Sequence, residues 1–268
     1  MDVAYRVVDV FSDRPLAGNA LCVVVDPCPD PLQQALAREV NLSETTFPVV
    51  TGDDSYEMRI FTPRAELPFA GHPSLGTAWV LGPGRWTQTT AGATVVVEAD
   101  AAGAVMTQPD PVLTPTDPAG AVAALGLPGA EEAVVAEAGG VRHLLVATEW
   151  PLEPLDPDTA LVAAATRSAR ATTLAVVRRR DDRTLHVRVF VPLAGIPEDP
   201  GTGAAAGPLA IFARRRWGTS VDVEILQGGE IGRPSRIRVH AEEGAVRVGG
   251  DVTACASGHF TLERARLG

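Results

Sequence analysis

Short runs of apolar or alternating residues dominate the chain and predict strands. Ala4-Tyr5-Arg6-Val7-Val8-Asp9-Val10-Phe11 and Ala20-Leu21-Cys22-Val23-Val24-Val25 are two of them, separated by the turn-rich segment Asp13-Arg14-Pro15-Leu16-Ala17-Gly18-Asn19. Similar runs recur near 45–50, 56–62, 93–98, 103–107, 132–137, 143–148, 172–178, 185–191, 221–226, 236–240 and 244–248. Leu32, Leu36 and Val40 fall at helical spacing behind Asp30-Pro31, so a helix is expected over 31–40, capped by Asp30 and opened by Pro31. Further helices are expected at about 72–82, 117–125, 157–166 and 203–216. Many strands with few interspersed helices predict an α+β fold rather than a doubly wound parallel sheet.

One repetition organises these elements. Met58-Arg59-Ile60-Phe61-Thr62-Pro63 resembles Val187-Arg188-Val189-Phe190-Val191-Pro192, each a strand closed by proline. Each is followed by a loop containing proline and an acid, then by a small-residue helix start: Gly71-His72-Pro73-Ser74-Leu75-Gly76 in one case, Gly201-Thr202-Gly203-Ala204-Ala205-Ala206 in the other. Two copies are too few for a solenoid, so the pattern predicts a pseudo-symmetric pair of lobes. The segment from Asp110-Pro111 to Asp117-Pro118, rich in proline and threonine, is the natural linker. The expected division is an N-terminal lobe over 1–110, rejoined by a last strand at about 256–268, and a C-terminal lobe over 111–255.

Composition narrows the chemistry. All 23 basic residues of the 268 are arginine, so lysine Schiff-base chemistry and a GK[ST] phosphate loop are excluded. A net charge of −10 argues against nucleic acid and anionic membrane as partners. The N-terminus lacks the basic and apolar regions of a signal peptide, and no apolar stretch reaches membrane-span length, so a cytoplasmic protein is expected. Cys22, Cys28 and Cys255 have no metal-ligand spacing, and no His/Cys/Asp cluster has zinc spacing, so no metal is expected.

The two helix starts carry the candidate chemistry. Unpaired amides and the positive dipole end at each would suit an anion such as a substrate carboxylate, and glycine permits close approach. The same glycines would equally serve close helix packing. Glu44, in Asn41-Leu42-Ser43-Glu44-Thr45-Thr46-Phe47, lies where a helix gives way to a strand; held among apolar neighbours it could take and return a proton, whereas in an open turn it would be ordinary surface. His72 could bond substrate or act as acid or base, or it could bond a loop carbonyl. Asp199 could join it, or simply cap the second helix. His143, His186, His240 and His259 read as structural.

These motifs resemble the PhzF-like family of phenazine biosynthesis, which has the diaminopimelate epimerase fold. The matching stretches are Val8–Phe11 with Ala17-Gly18-Asn19, Asn41–Phe47, Phe61–Pro63 with Glu66–Ala78, Glu198–Leu209 and Gln227–Ser235. The resemblance implies two lobes, each a rolled, mostly antiparallel sheet around a central helix, with the active site between them. It implies no organic cofactor, no metal and a homodimer. It also implies Glu44 as central acid/base, with His72 and Asp199 completing the proton-handling set. Ser43, Gly71, Pro73, Ser74, Gly201, Thr202, Gly203 and Ala204 are the implied substrate-binding positions. Ala204 departs from the family pattern, where a serine supplies a hydroxyl, and this puts the phenazine substrate itself in doubt. Ala70 and Pro200 stand where racemase relatives carry two thiols, so two-thiol racemisation is excluded.

The expected activity is a cofactor-independent isomerisation that moves a proton and a double bond in a small unsaturated carboxylate, in secondary-metabolite (antibiotic) biosynthesis. The alternatives are an epimerase using Glu44 with His72 or Asp199, and a non-catalytic carboxylate-binding protein.

Overall fold

The computed structural model describes residues 1–242 and 244–262. The expected last strand extends to 268, and its final six positions lie outside the described residues. The first half of the chain runs β1 (Asp2–Val10), β2 (Asn19–Val24), α1 (Asp30–Val40), β3 (Glu44–Gly52), β4 (Ser55–Phe61), β5 (Glu66–Leu67), α2 (Gly71–Leu81), β6 (Gly84–Thr89), β7 (Thr94–Ala99) and β8 (Gly103–Gln108). After β9 (Val112–Pro115) and α3 (Ala119–Leu125), the order repeats. It runs β10 (Glu132–Ala138), β11 (Val141–Ala147), α4 (Thr159–Ser168), β12 (Thr173–Arg179), β13 (Thr184–Val191), β14 (Ile196–Asp199), α5 (Gly203–Trp217), β15 (Asp222–Gln227), β16 (Ser235–Glu242) and β17 (Ala245–Thr261).

Pairing repeats as well as order. β2 lies parallel to β3 and β4 parallel to β6; in the second copy β11 lies parallel to β12 and β13 parallel to β15. The other pairings are antiparallel. Strands β1, β2, β3, β4, β6, β7, β8 and β17 close into an eight-stranded barrel around α2. The second copy rolls β9 to β13, β15, β16 and the start of β17 around α5. The fold is therefore α+β with two pseudo-symmetric lobes, as the sequence predicts.

A helix enclosed by a rolled sheet must be apolar on every side and narrow enough to fit. Both central helices meet this. Residues 71–78 of α2 are all buried, and a side chain at Gly76 would collide with Leu21 and Val10 of the barrel wall. In α5 a side chain at Gly207 would strike Gln108 and Val246. Arg214, Arg215 and Arg216 bring α5 out of the core, place positive charge at the negative end of its dipole, and are followed by Gly218 in the left-handed conformation.

Three features differ from expectation. Pro29 precedes α1, and Asp30 is already helical; its carboxylate accepts from Gln33 instead. The expected linker contains β9, which pairs antiparallel with β10 from Val112 to Pro115 and so extends the rolled sheet. β17 is one continuous strand. Its first half pairs with β16 and β8, and its second half, from Val252, pairs with β1.

Candidate active site

α1 ends at Asn41, whose φ of 53° is the left-handed conformation that asparagine tolerates best among residues with a side chain. That turn delivers Glu44 as the first residue of β3, pointing inward. His72 is the second residue of α2, and Asp199 closes β14 just before α5. The fold brings all three together, at 7%, 4% and 6% exposure. Glu44 Oε2 lies 3.3 Å from His72 Nε2. Among the described residues, neither atom has a hydrogen-bond partner of good geometry.

Burial sets the electrostatics. It pushes the Glu44 carboxyl well above its ordinary pKa, and the Asp199 charge pushes it further. It pulls His72 down to about 3, so the imidazole is neutral. Burial also raises Asp199, to about 6, although hydrogen bonds from Thr202 and Asn19 oppose the shift. The site thus holds a glutamate of raised proton affinity, a neutral histidine and an aspartate raised to about 6.

The two helix starts touch. A Cβ at Gly71 would lie 2.5 Å from Ala204 N, and one at Gly203 would lie 3.3 Å from His72 N. The glycines therefore do serve close packing, between the two central helices. Phe11 sits beside them in the left-handed conformation (φ 68°), which is costly for an aromatic residue and is held here by complete burial. Its ring occupies the space that side chains at Gly201 and Gly250 would need.

Several expected binding groups are already engaged. Thr202 Oγ1 donates to Asp199 Oδ2 at 2.5 Å, and Thr202 N donates to Gln227 Oε1. Asp199 thus bonds the Thr202 hydroxyl, and among the described residues no helix amide is hydrogen-bonded to its side chain. Ser74 Oγ donates to Ala70 O and accepts from Gln88. Gly203 O accepts from Gln108. Pro73 is buried in the first turn of α2, and Ser43 is half-buried beside Glu44.

Two residues were not singled out from the sequence. Asn19, fully buried at the start of β2, places its amide nitrogen 3.2 Å from His72 Nδ1, 2.9 Å from Asp199 Oδ1 and 3.0 Å from Gly201 O. Gln227 donates to Asp199 O and to Thr202 Oγ1. The only sequence signal for Asn19 was its place in a matching family stretch. Behind α5, Pro208 has no N–H for the Ala204 carbonyl, and buried His143 meets Thr173 Oγ1 through Nδ1 at 2.8 Å, while its Nε2 has no hydrogen-bond partner among the described residues. Among the described residues, no group of three or more His, Cys, Asp or Glu side chains is placed to hold a metal, and no helix is long and apolar enough to cross a membrane.

The family profile described as phenazine biosynthesis-like protein (PhzC-PhzF) matches residues 8–258. The chain belongs to the PhzF family. A relative named trans-2,3-dihydro-3-hydroxyanthranilate isomerase, from Pseudomonas aeruginosa, is 40% identical; the match covers 96% of this chain and 99% of the relative. With such isomerases as relatives, this chain is a PhzF-like isomerase. The solved PhzF-family structure from Enterococcus faecalis superposes with a TM-score of 0.82 at 26% identity, covering 98% of this chain and 100% of that one. A probable proline racemase from Agrobacterium radiobacter shares the fold, with a TM-score of 0.66 at 13% identity over 99% of this PhzF-like chain and 94% of its own.

Proposed function

We propose that this PhzF-like protein moves a proton, and with it a double bond, within a small unsaturated carboxylate, with Glu44 as the acid/base and no cofactor. The observation that carries this is Glu44 itself, buried, with raised proton affinity and 3.3 Å from a neutral imidazole. A carboxyl with raised proton affinity is matched to taking a proton from an acidified C–H and returning it near neutral pH. Once the substrate takes up the proton, the same carboxylate is ready for the next cycle. His72 would hydrogen-bond the delocalised anion, and Asp199, held by Thr202, Asn19 and Gln227, would orient substrate. The helix starts would receive the substrate carboxylate once the lobes part enough to admit it.

The second copy favours a shift over an inversion. The position matching Glu44 at the start of the corresponding strand is Thr173, and Ala70 and Pro200 carry no thiol. An epimerase reading has one supporting observation: Asp199, at about 6, could serve as a second base. The substrate named for the relative is the first to assay, with Ala204 providing no hydroxyl toward it.

Incubation in heavy water tests both readings. A proton shift places deuterium at a new carbon with movement of the double bond; epimerisation places it at a stereocentre without such movement. Glu44→Gln should lose about 10²–10⁴-fold in turnover while remaining folded. Full activity in that variant overturns the proposed role, and tight carboxylate binding with no turnover in either protein supports a binding protein instead. We further propose lobes of 1–110, completed by the chain's last strand, and 111–255. A homodimer in the cytoplasm completes the proposal, with its assembly measured by light scattering.

A further inference from the structure

We propose that Asn19 is a positioning residue that fixes the tautomer of His72, leaving Nδ1 bare and the proton on Nε2, and that the C-terminal lobe sets the amide orientation on which this depends. The inference rests on the reading of Glu44 and His72 as the reacting pair.

The argument begins with Gly201. Its carbonyl oxygen can only accept, so the group 3.0 Å from it on Asn19 must be the NH2 and not the amide oxygen. Asp199 Oδ1, at 2.9 Å, makes the same demand, because the Thr202 hydroxyl already donates to the other carboxyl oxygen. A flipped amide would set oxygen against oxygen at both contacts. The NH2 therefore faces His72 Nδ1 at 3.2 Å. An NH2 cannot accept a hydrogen bond, so a proton on Nδ1 would point at another donor in a buried site. The bare Nδ1 tautomer removes that conflict, and which ring nitrogen carries the proton is set by the partner of the other.

The outcome matters for the chemistry. With Nδ1 bare, the neutral ring presents N–H at Nε2, the nitrogen that faces Glu44 Oε2. His72 is then a hydrogen-bond donor toward the reacting atoms. In the other tautomer the same nitrogen would offer only a lone pair and could not donate to a delocalised anion. Asn19 and His72 belong to the first lobe, whereas Asp199 and Gly201 belong to the second. Contact between the lobes thus decides what the histidine can do.

The test uses the full chain labelled with ¹⁵N-histidine, with His72 assigned by the signal lost in His72→Gln. Long-range proton–nitrogen spectra at pH 7 should show His72 neutral with an unprotonated Nδ1. Asn19→Asp should move the proton to Nδ1 and raise the pH at which the ring titrates, because a carboxylate accepts where the amide nitrogen cannot. Asn19→Ala should give a mixture of tautomers. A wild-type ring protonated at Nδ1, or doubly protonated at pH 7, overturns the proposal, as does an unchanged ring in Asn19→Asp. If the variants fail to fold, the wild-type spectrum decides alone. None of these spectra depends on turnover, so a fully active Glu44→Gln would sink the functional reading while leaving the tautomer result standing.

Discussion

The two copies carry the same arginine–glutamate pair in different surroundings. On β4, Arg59 grips Glu66 through Nε and Nη2, both at 2.7 Å, and its guanidinium lies 4.9 Å from the Phe61 ring. On β13, Arg188 grips Glu198 through the same nitrogens at 2.9 and 2.7 Å, and lies 5.4 Å from the Phe190 ring. The first pair is 40% and 39% exposed, the second 6% and 9%. In the second copy, the segment between β11 and α4 folds over the arginine, and Nη1 donates to the carbonyls of Leu152 and Leu155. Duplication preserved the geometry of the pair; the covering layer changed its consequence. An exposed pair is screened and contributes little, whereas a buried one becomes costly to break. Glu198 also adjoins Asp199, so only the second pair bears directly on the site.

Arg188→Ala should show the largest effect. It leaves a buried carboxylate without its partner and should cost about 3–5 kcal/mol by denaturant unfolding. The double variant Arg188→Met with Glu198→Leu should recover most of that loss. A mild Arg188→Ala would break the contrast between the copies. At the helix starts, Gly71→Ala forces a Cβ against the Ala204 backbone and should cost about 1–3 kcal/mol. The mirror change Gly203→Ala meets the Phe11 ring at 3.1 Å and His72 N at 3.3 Å, longer approaches than the 2.5 Å at Gly71, so its melting temperature should fall less.

The pH dependence separates the copies further. Burial lowers His143 to about 4, so the unfolded chain binds more protons between that value and about 6.5. Its contribution to stability is therefore full above pH 6.5 and is lost as the pH falls toward 4, by up to about 1.4 kcal/mol per unit. His72, lowered to about 3, acts in the same sense. Asp199, raised to about 6, acts in the opposite sense, destabilising as the pH rises from about 4. His143→Gln should reduce the drop in melting temperature between pH 7 and pH 5 relative to wild type. Arg59→Ala should show the smallest effect, about 0.2–1 kcal/mol, shrinking further in salt. A larger value would mean that Asp30, 3.3 Å from the same guanidinium, adds more than an exposed contact should.

Most strands were legible because their apolar residues keep a period of two or run unbroken, as in Val187 to Val191. β14 has a loop-like sequence because Pro197 interrupts it, although its ends still pair with β13. The length of β17 was hidden by Gly249, Gly250, Ala254, Ala256 and Gly258, whose small side chains give no pattern. Glu44, His72 and Asp199 could be named from their motifs, and the fold assembles them. Asn19 could not, because an asparagine between a turn and a strand reads as a turn residue until a partner from the other half of the chain is in view. Nor does sequence show that the Thr202 and Ser74 hydroxyls are already bonded within the protein, since that depends on where Asp199 and Gln88 arrive.

The path of β17 also constrains the order in which the molecule can be made. Asp2 of β1 pairs with Thr261, and Gly103 of β8 pairs with Asp251. Strands β1 and β8 are synthesised well over a hundred residues before the part of β17 that closes the barrel against them. Until it emerges, β1 and β8 present open edges, and the lobe that carries Glu44 and His72 must wait beside a partner still being synthesised. Contacts separated by nearly the whole chain make folding slow, since loop closure precedes their reward. A nascent chain stalled before residue 245 would therefore hold the catalytic candidates in an unsealed barrel prone to pairing with its neighbours.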